Sequence, residues 1–186
     1  MKVIDLAIPG LKIFEPQIFG DQRGFFLESY NQKRFEDALG YAPVFVQDNH
    51  SGSSRNVLRG LHYQIGTPQA KLVRVVIGSV LDVAVDLRPD SPAFGRWESV
   101  VLSAENKKQI WLPEGLAHGF LVLSDQAELL YKASDYYAPQ NERTLAWNDP
   151  RIGINWPEVE GGFILSDKDR QGLSWAEAVA EIKARA

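Results

Sequence analysis

The chain contains no cysteine and only three histidines among its 186 residues. The absence of cysteine excludes disulfide bonds and thiolate metal sites. The histidines are His50, His62 and His118, and two or three imidazoles without a carboxylate make a poor site for a hard metal ion. We therefore expect no bound metal.

Long apolar runs are also missing, as are a signal-peptide core, internal repeats and low-complexity tracts. These absences predict a protein that does not cross a membrane, and a cytoplasmic location is expected. The formal net charge is −4 at pH 7, which argues against a general nucleic-acid binder. A small anionic ligand is compatible with that charge, because a local basic pocket can oppose the global sign.

Helix signals are few, whereas β-branched residues dominate the middle of the chain. With 45% apolar and 24% charged residues, a single domain over residues 1–186 is expected to bury its own core. Residues 72–86 read as two strands, and Gly78 with Ser79 interrupts them as a hairpin turn does. The other predicted strands, which recur about every ten residues as in a sandwich or small barrel, are 3–8, 12–19, 24–30, 45–51, 97–102, Gln109–Leu112, 119–123 and 128–132.

Two helices are predicted. Gln32–Leu39 has Asn31 as its N-cap and Gly40 as its stop. The C-terminal helix begins at a capping box formed by Ser174 and Glu177, followed by apolar residues at helical spacing. The predicted fold is therefore mainly antiparallel β, a double-sheet jelly roll with a few short helices and a C-terminal helix.

The segment with the most chemistry places one imidazole between two cations. Arg59 and His62 lie in a predicted strand, and Lys71 follows shortly after. The planar fork of Arg matches phosphate oxygens, and His is the side chain best suited to moving protons near neutral pH. Lys71 can hold a developing negative charge. The three together indicate proton abstraction from an anionic substrate.

Residues 113–120 (PEGLAHGF) resemble the second cupin motif, with His118 beginning a strand. In metal-binding cupins the first motif supplies two histidines and a glutamate. Here the corresponding stretch is His62-Tyr63-Gln64, and Lys71 stands roughly where the acidic ligand falls. A cation at that position would repel a metal ion, which again predicts that none is bound. The resemblance implies a jelly roll of the cupin type.

Six segments in order resemble the dTDP-4-dehydrorhamnose 3,5-epimerase family more closely than they resemble cupins in general. They are residues 19–29 (FGDQRGFFLES), 46–51 (VQDNHS), 57–64 (VLRGLHYQ), 71–74 (KLVR), 113–120 (PEGLAHGF) and 165–169 (LSDKD). The match runs from about residue 3 to about residue 170. Several long motifs in sequence with fitting spacing are far more specific than any one of them.

The resemblance implies a substrate, a chemistry and a set of catalytic residues. The substrate is a dTDP-linked 4-keto-6-deoxyhexose, whose C4 carbonyl acidifies the hydrogens at C3 and C5. His62 resembles the base, Asp169 its partner and Tyr131 the proton donor, while Lys71 is placed near the enolate oxygen. The choice of Asp169 over Asp167 comes from the family pattern alone. No cofactor is expected.

The resemblance also implies substrate contacts and an assembly. Tyr137 resembles the residue that stacks on thymine. The full set of expected substrate-binding residues is Arg23, Glu28, Gln47, Asp48, Asn49, Arg59, His118, Tyr137, Glu142 and Lys168. The family forms homodimers in which an N-terminal strand pairs across subunits, so a homodimer is expected here, without nucleic acid or membrane partners.

Other interpretations stay open at this point. A related enzyme that epimerises only C3 or C5, or a keto-isomerase on the same fold, would share His62, Lys71, Tyr131 and Asp169. A non-catalytic sugar-nucleotide-binding jelly roll would need no base, and a metal-dependent cupin would need different ligands.

Overall fold

Two antiparallel sheets face each other in a computed structural model that describes residues 1–184. The strands of the first sheet, in spatial order, are β1 (Lys2–Asp5), β2 (Lys12–Glu15), β10 (Gln109–Leu112), β7 (Lys71–Ile77), β12 (Gln126–Ala133) and β5 (Gln47–Ser54). Those of the second are β13 (Glu142–Thr144), β6 (Leu58–Gln64), β11 (Leu116–Val122), β8 (Ser79–Asp86) and β9 (Trp97–Ser103). A separate hairpin pairs β3 (Ile18–Asp21) with β4 (Gly24–Leu27).

The core lies between the two sheets because every second residue of each strand points inward. Its buried members include Ile13, Val73, Val75, Ile110, Leu112 and Leu129 from the first sheet and Val80, Ala84, Leu102, Leu116 and Phe120 from the second. The same alternation decides which polar side chains enter the interior. Those of β6, β7, β8, β11 and β12 that share the inward register form the walls of the site.

The outer face of each large sheet is covered by one helix, the helix nearer the N-terminus on the first sheet and the C-terminal helix on the second. Helix α1 (Gln32–Leu39) buries Phe35 against Phe14 of the first sheet, with ring centroids 4.4 Å apart. Helices α2 (Asp167–Arg170) and α3 (Trp175–Lys183) follow β13 and belong to the segment that packs on the second sheet, where Ala178 joins a buried cluster on its outer face. Both helices predicted from sequence are present, with the Asn31 cap and the Ser174 capping box in place.

The N-terminal strands differ from their prediction. Residues 12–19 form two strands, β2 and β3, because Pro16 lies between them and has no backbone N–H for a sheet ladder. The strand expected over residues 24–30 ends at Leu27, and its partner is β3. The resulting hairpin stands outside both large sheets, with exposed Phe19, Phe25 and Phe26.

A close approach between β6 and β11 fixes the centre of the second sheet. Gly60 has φ +120°, and a Cβ there would lie 2.6 Å from Cα of Gly119. The register of the two strands shifts between His118 and Phe120, so that His118 pairs with His62. No helix within residues 1–184 is long and apolar enough to span a bilayer.

Candidate active site

A histidine and an aspartate from distant parts of the chain meet in the interior. His62 Nε2 lies 2.6 Å from Asp169 Oδ1, although 107 residues separate them in sequence. Leu61 and Tyr63 belong to the outer-face cluster, so the alternation of β6 turns His62 inward. Because Nε2 is bonded to the carboxylate, Nδ1 is the ring nitrogen left for other chemistry.

The local fold holds Asp169 in place. Asp169 is 3% exposed and lies in α2, whose N-cap Ser166 accepts from its backbone N–H and donates to Oδ2 at 2.7 Å. The Gly60 N–H donates to Oδ1 at 3.2 Å. Burial alone would raise the pKa of Asp169, but the hydrogen bonds from His62 and Ser166 outweigh it and lower the pKa below its ordinary value. Asp169 is thus held as an anion beside the imidazole.

Lys71 lies at the start of β7, with its side chain on the inward face shared by Val73 and Val75. Burial is the largest influence on its amine and lowers the pKa from 10.5 to about 8, although the negative charges of Glu142 and Asp82 act in the opposite direction. A buried ammonium with a pKa near 8 is still charged at neutral pH. It is therefore suited to stabilising an anion that forms in the cavity.

Tyr131 lies on β12, two residues after the core residue Leu129, so strand alternation turns its side chain toward the interior between the sheets, as it does for Lys71. Burial raises the pKa of its phenol above the ordinary value, while the positive charge of Arg59 lowers it and that of Glu142 raises it further. The phenol is therefore held in its protonated form and is close to both charged side chains. A protonated phenol is able to donate a proton.

A chain of polar contacts surrounds these groups. Lys168 Nζ lies 2.5 Å from Glu142 Oε1, and Tyr137 donates its hydroxyl proton to Glu142 Oε2 at 2.7 Å. The backbone N–H of Tyr137 donates to Gln47 Oε1, and Gln47 donates to Asn49 at 2.9 Å. The nearby Lys168 cation and Tyr137 hydroxyl lower the pKa of Glu142, against the opposing and larger single effect of burial. The half-exposed Tyr137 ring leaves a flat surface at the edge of the cavity.

Arg59 borders the site and enters no ion pair with any residue between 1 and 184. Its guanidinium donates to Ser53 Oγ and to the carbonyl of Gly52, both at 3.0 Å. These bonds leave donors of the fork available to an anion.

The structure does not bring three of the expected substrate contacts together with the others. The side chain of Asp48 points to the outer face of β5, where it is 71% exposed and pairs with Lys132 at 3.0 Å. Alternation explains this, since its neighbours Gln47 and Asn49 face inward. Arg23 pairs with Asp21 on the exposed hairpin, and Glu28 contacts Arg34 at 3.3 Å.

Sequence reasoning identified His118 but missed its partner. His118 Nε2 lies 2.9 Å from Oδ2 of Asp82, which is completely buried in β8. The available signal was an acidic residue on the inward face of β8, between the apolar residues Val80 and Ala84. Over the described part of the chain, no group of three His, Cys, Asp or Glu side chains is arranged to hold a metal ion.

Known proteins resemble this chain over nearly its whole length. The family model for dTDP-4-dehydrorhamnose 3,5-epimerase matches residues 5–177. The Pseudomonas aeruginosa enzyme of that name is 59% identical over 178 residues, covering 96% of this chain and 98% of the relative. The Escherichia coli enzyme is 58% identical over 180 residues, with 96% and 97% covered.

Solved structures also match the chain over nearly its whole length. A dTDP-6-deoxy-D-glucose-3,5-epimerase from Legionella pneumophila in complex with dTDP-4-keto-L-rhamnose has a TM-score of 0.93 at 50% identity, covering 97% of this chain and 96% of that one. A 3'-monoepimerase from Streptomyces bikiniensis, in complex with dTDP-quinovose, has a TM-score of 0.88 at 37% identity, with 97% of both chains covered.

Fold and site together define a jelly-roll enzyme equipped for proton transfer, and the mainly β fold predicted from sequence is confirmed. The chain belongs to the dTDP-4-dehydrorhamnose 3,5-epimerase family. It is an epimerase, in the isomerase class, of dTDP-rhamnose biosynthesis.

Proposed function

We propose that this epimerase inverts both C3 and C5 of dTDP-4-dehydro-6-deoxy-D-glucose, giving dTDP-4-dehydro-L-rhamnose without a cofactor. The observation that carries the proposal is the His62–Asp169 pair, 2.6 Å apart, together with the buried Lys71 ammonium and the Tyr131 phenol on the inward face of the opposite sheet. These are a base with its orienting anion, a cation and a proton donor, the groups that an enolate mechanism needs.

Each inversion has three steps. His62 removes the proton from the carbon next to the C4 ketone, and Asp169 stabilises the imidazolium that forms. The electron pair moves to the ketone oxygen, where Lys71 stabilises the enolate. Tyr131 then delivers a proton to the opposite face of the same carbon, and solvent restores both groups. Removal of one such electrostatic stabiliser typically lowers kcat by about 10²–10³.

The nucleotide is assigned to the edge of the cavity. Tyr137 stacks on thymine, which contributes roughly 1–3 kcal/mol. Arg59 and Lys168 contact the diphosphate or sugar, and Gln47 and Asn49 supply amide groups. His118 contacts the hexose. Glu142 is placed between Tyr137 and Lys168, where its bonds order both.

We further propose a homodimer in the cytoplasm, with Arg23 and Glu28 completing the nucleotide site of the partner subunit. The hairpin of β3 and β4 supports this because it exposes Phe19, Phe25 and Phe26, and such an apolar patch usually marks an interface. Arg23 is 85% exposed and lies on that hairpin.

Mixed dimers test the shared site. Arg23→Ala and His62→Ala are each expected to be nearly inactive alone. After the two are unfolded and refolded together, heterodimers contain one intact site, and about a quarter of wild-type activity should return. Recovery of no activity, with heterodimers present, would place Arg23 in its own subunit's site and refute the sharing.

The reaction is tested by incubating the enzyme and the 4-keto sugar nucleotide in heavy water, with a reductase to trap the product. Proton NMR should show deuterium at both C3 and C5. His62→Ala should abolish incorporation while dTDP binding persists, and His50→Ala, on the outer face, is the matched control. The Streptomyces bikiniensis relative favours one alternative, a single-site epimerase. Deuterium at C3 alone would establish that alternative and overturn the double inversion.

A further inference from the structure

A completely buried carboxylate lies in the wall of the site and has no part in the mechanism above. Asp82 is 0% exposed, in the middle of β8, with the apolar residues Val80 and Ala84 as its inward-facing neighbours. Burying a charged group is unfavourable unless nearby groups compensate for the lost hydration. An apolar residue at this position would destabilise the fold less, so the presence of a carboxylate indicates a functional role.

The two oxygens of Asp82 have different surroundings. Oδ2 lies 2.9 Å from Nε2 of His118. Oδ1 is buried and has no hydrogen-bond partner within residues 1–184. The negative charge of Asp82 is nevertheless close enough to Lys71 to favour its protonated form. Asp82 thus contacts His118 on its own sheet and acts through its charge on Lys71 of the facing sheet, and the proposed function assigns both residues to the hexose.

We propose that Asp82 is a positioning residue of the epimerase, which orients the ring of His118 and retains the positive charge of Lys71 in the cavity. This inference rests on the enolate mechanism proposed above and deepens it. The bond to Nε2 fixes which way the His118 ring faces, because Nδ1 becomes the nitrogen available to a polar atom of the hexose.

The effect on Lys71 follows from the charges that surround it. Its net pKa is about 8, because burial, with a smaller contribution from Lys168, lowers it more than Glu142 and Asp82 raise it. Glu142 is already neutralised by Lys168 at 2.5 Å and by the Tyr137 hydroxyl at 2.7 Å. The Oδ1 atom of Asp82 has no such partner in the described part of the chain. Asp82 is therefore the less compensated of the two anions that keep Lys71 charged.

Asp82→Asn is the direct test, since the amide preserves shape and an acceptor for His118 but removes the charge. Lys71 must be protonated to stabilise the enolate, so kcat falls as the pH rises through its pKa. In Asp82→Asn the decrease in kcat should begin about one pH unit lower than in wild type. At a pH above the Lys71 pKa of both proteins, the variant then has roughly tenfold less Lys71 ammonium. The affinity for dTDP should change by less than about twofold, because the nucleotide binds elsewhere in the cavity.

A matched control lies in the same strand. Asp86 is also 0% exposed, but it pairs with Arg88 at 2.7 Å and with Ser91 at 2.6 Å. Asp86→Asn should lower thermal stability and leave the pH profile of the folded enzyme unchanged. An equal pH shift in both variants would overturn the proposal, since it would reflect loss of a buried carboxylate in general.

A titration without substrate separates this inference from the proposed reaction. With ¹³Cε-labelled lysine, the Lys71 resonance is identified by its absence in Lys71→Met, and its midpoint is compared between wild type and Asp82→Asn. A lower midpoint in the variant supports the inference even if the wild type fails to epimerise C3 and C5. An unchanged midpoint overturns it even in an active enzyme.

Should Asp82→Asn fail to fold, His118→Asn provides the second test, because it leaves the carboxylate in place. The substitution should raise KM for the sugar nucleotide while the Lys71 midpoint stays within about half a pH unit of wild type. A midpoint that falls by a full unit would contradict a direct effect of Asp82 on Lys71.

Discussion

Replacing Lys71 by Met should make the protein more stable while removing most of its activity. Burial lowers the pKa of Lys71 from 10.5 to about 8. At about 1.4 kcal/mol per pKa unit, the protonated amine therefore destabilises the folded state by an amount on the order of 3 kcal/mol. Met keeps the length of the side chain and has no charge, so a gain of about 1–3 kcal/mol is expected at pH 7. The same change should lower kcat by about 10²–10³.

The pH dependence of the gain provides the sharper check. Below pH 8 the lysine is protonated in both folded and unfolded chains, and the full gain is present. Between pH 8 and 10.5 the unfolded chain binds more protons, so wild-type stability rises with pH and the advantage of the variant shrinks. Urea denaturation at pH 7 and pH 10 measures both values. Lys33→Met, at an exposed position of α1, should change stability by less than about 0.5 kcal/mol.

Two results would refute this reasoning. A variant that is less stable than wild type at pH 7 would mean that the ammonium has a net favourable environment in the folded chain. A gain that stays constant between pH 7 and pH 10 would mean that the pKa of Lys71 is not lowered.

Three further substitutions test the site and its support. In Tyr131→Phe, His62 should still exchange a substrate proton with heavy water. The amount of inverted product, measured by NMR, should fall by about 10²-fold or more. Equal amounts of product from the variant and wild type would exclude the phenol as the proton donor. Asp169→Asn should lower kcat with little change in dTDP affinity by calorimetry, since the imidazolium loses its anion; full activity would remove Asp169 from the mechanism. Gly60→Ala should lower the free energy of unfolding, measured by urea denaturation, by more than about 1 kcal/mol. The φ of Gly60 is +120°, and the added Cβ would lie 2.6 Å from Cα of Gly119. Unchanged stability would contradict the close approach of the two strands.

Local signals in the sequence were sufficient for most of the fold. Alternating β-branched residues predicted the long strands, and caps such as Asn31 and Ser174 marked both predicted helices. The short N-terminal strands were harder, because the break at Pro16 decides whether residues 12–19 form one strand or two. Helix α2 has only four residues, too few for a periodic pattern to reveal it.

The residues of the site differ in how well the sequence predicts them. His62 and Lys71 lie near each other along the chain, so their chemistry is visible locally. Asp169 is 107 residues from His62, and only the family pattern distinguished it from Asp167. Asp82 was missed because its significance depends on the cross-strand position of His118, which the register of β8 and β11 determines.

The family resemblance names residues 47–49 together, but strand geometry decides which of their side chains face the site. Residues 47–49 were expected to act together as substrate contacts, but successive side chains of a strand point to opposite faces. The Asp48 carboxylate consequently pairs with Lys132 on the outer face. A contact from this residue to the substrate remains a prediction.

A crystal structure with the bound dTDP-hexose would test the central claim most directly. Since Nε2 of His62 is bonded to Asp169, the account predicts that Nδ1 lies within about 3.5 Å of C3 or C5, with the Tyr131 hydroxyl on the opposite face of the sugar ring. An imidazole turned away from the hexose, or a Tyr131 hydroxyl on the same face as His62, would contradict it.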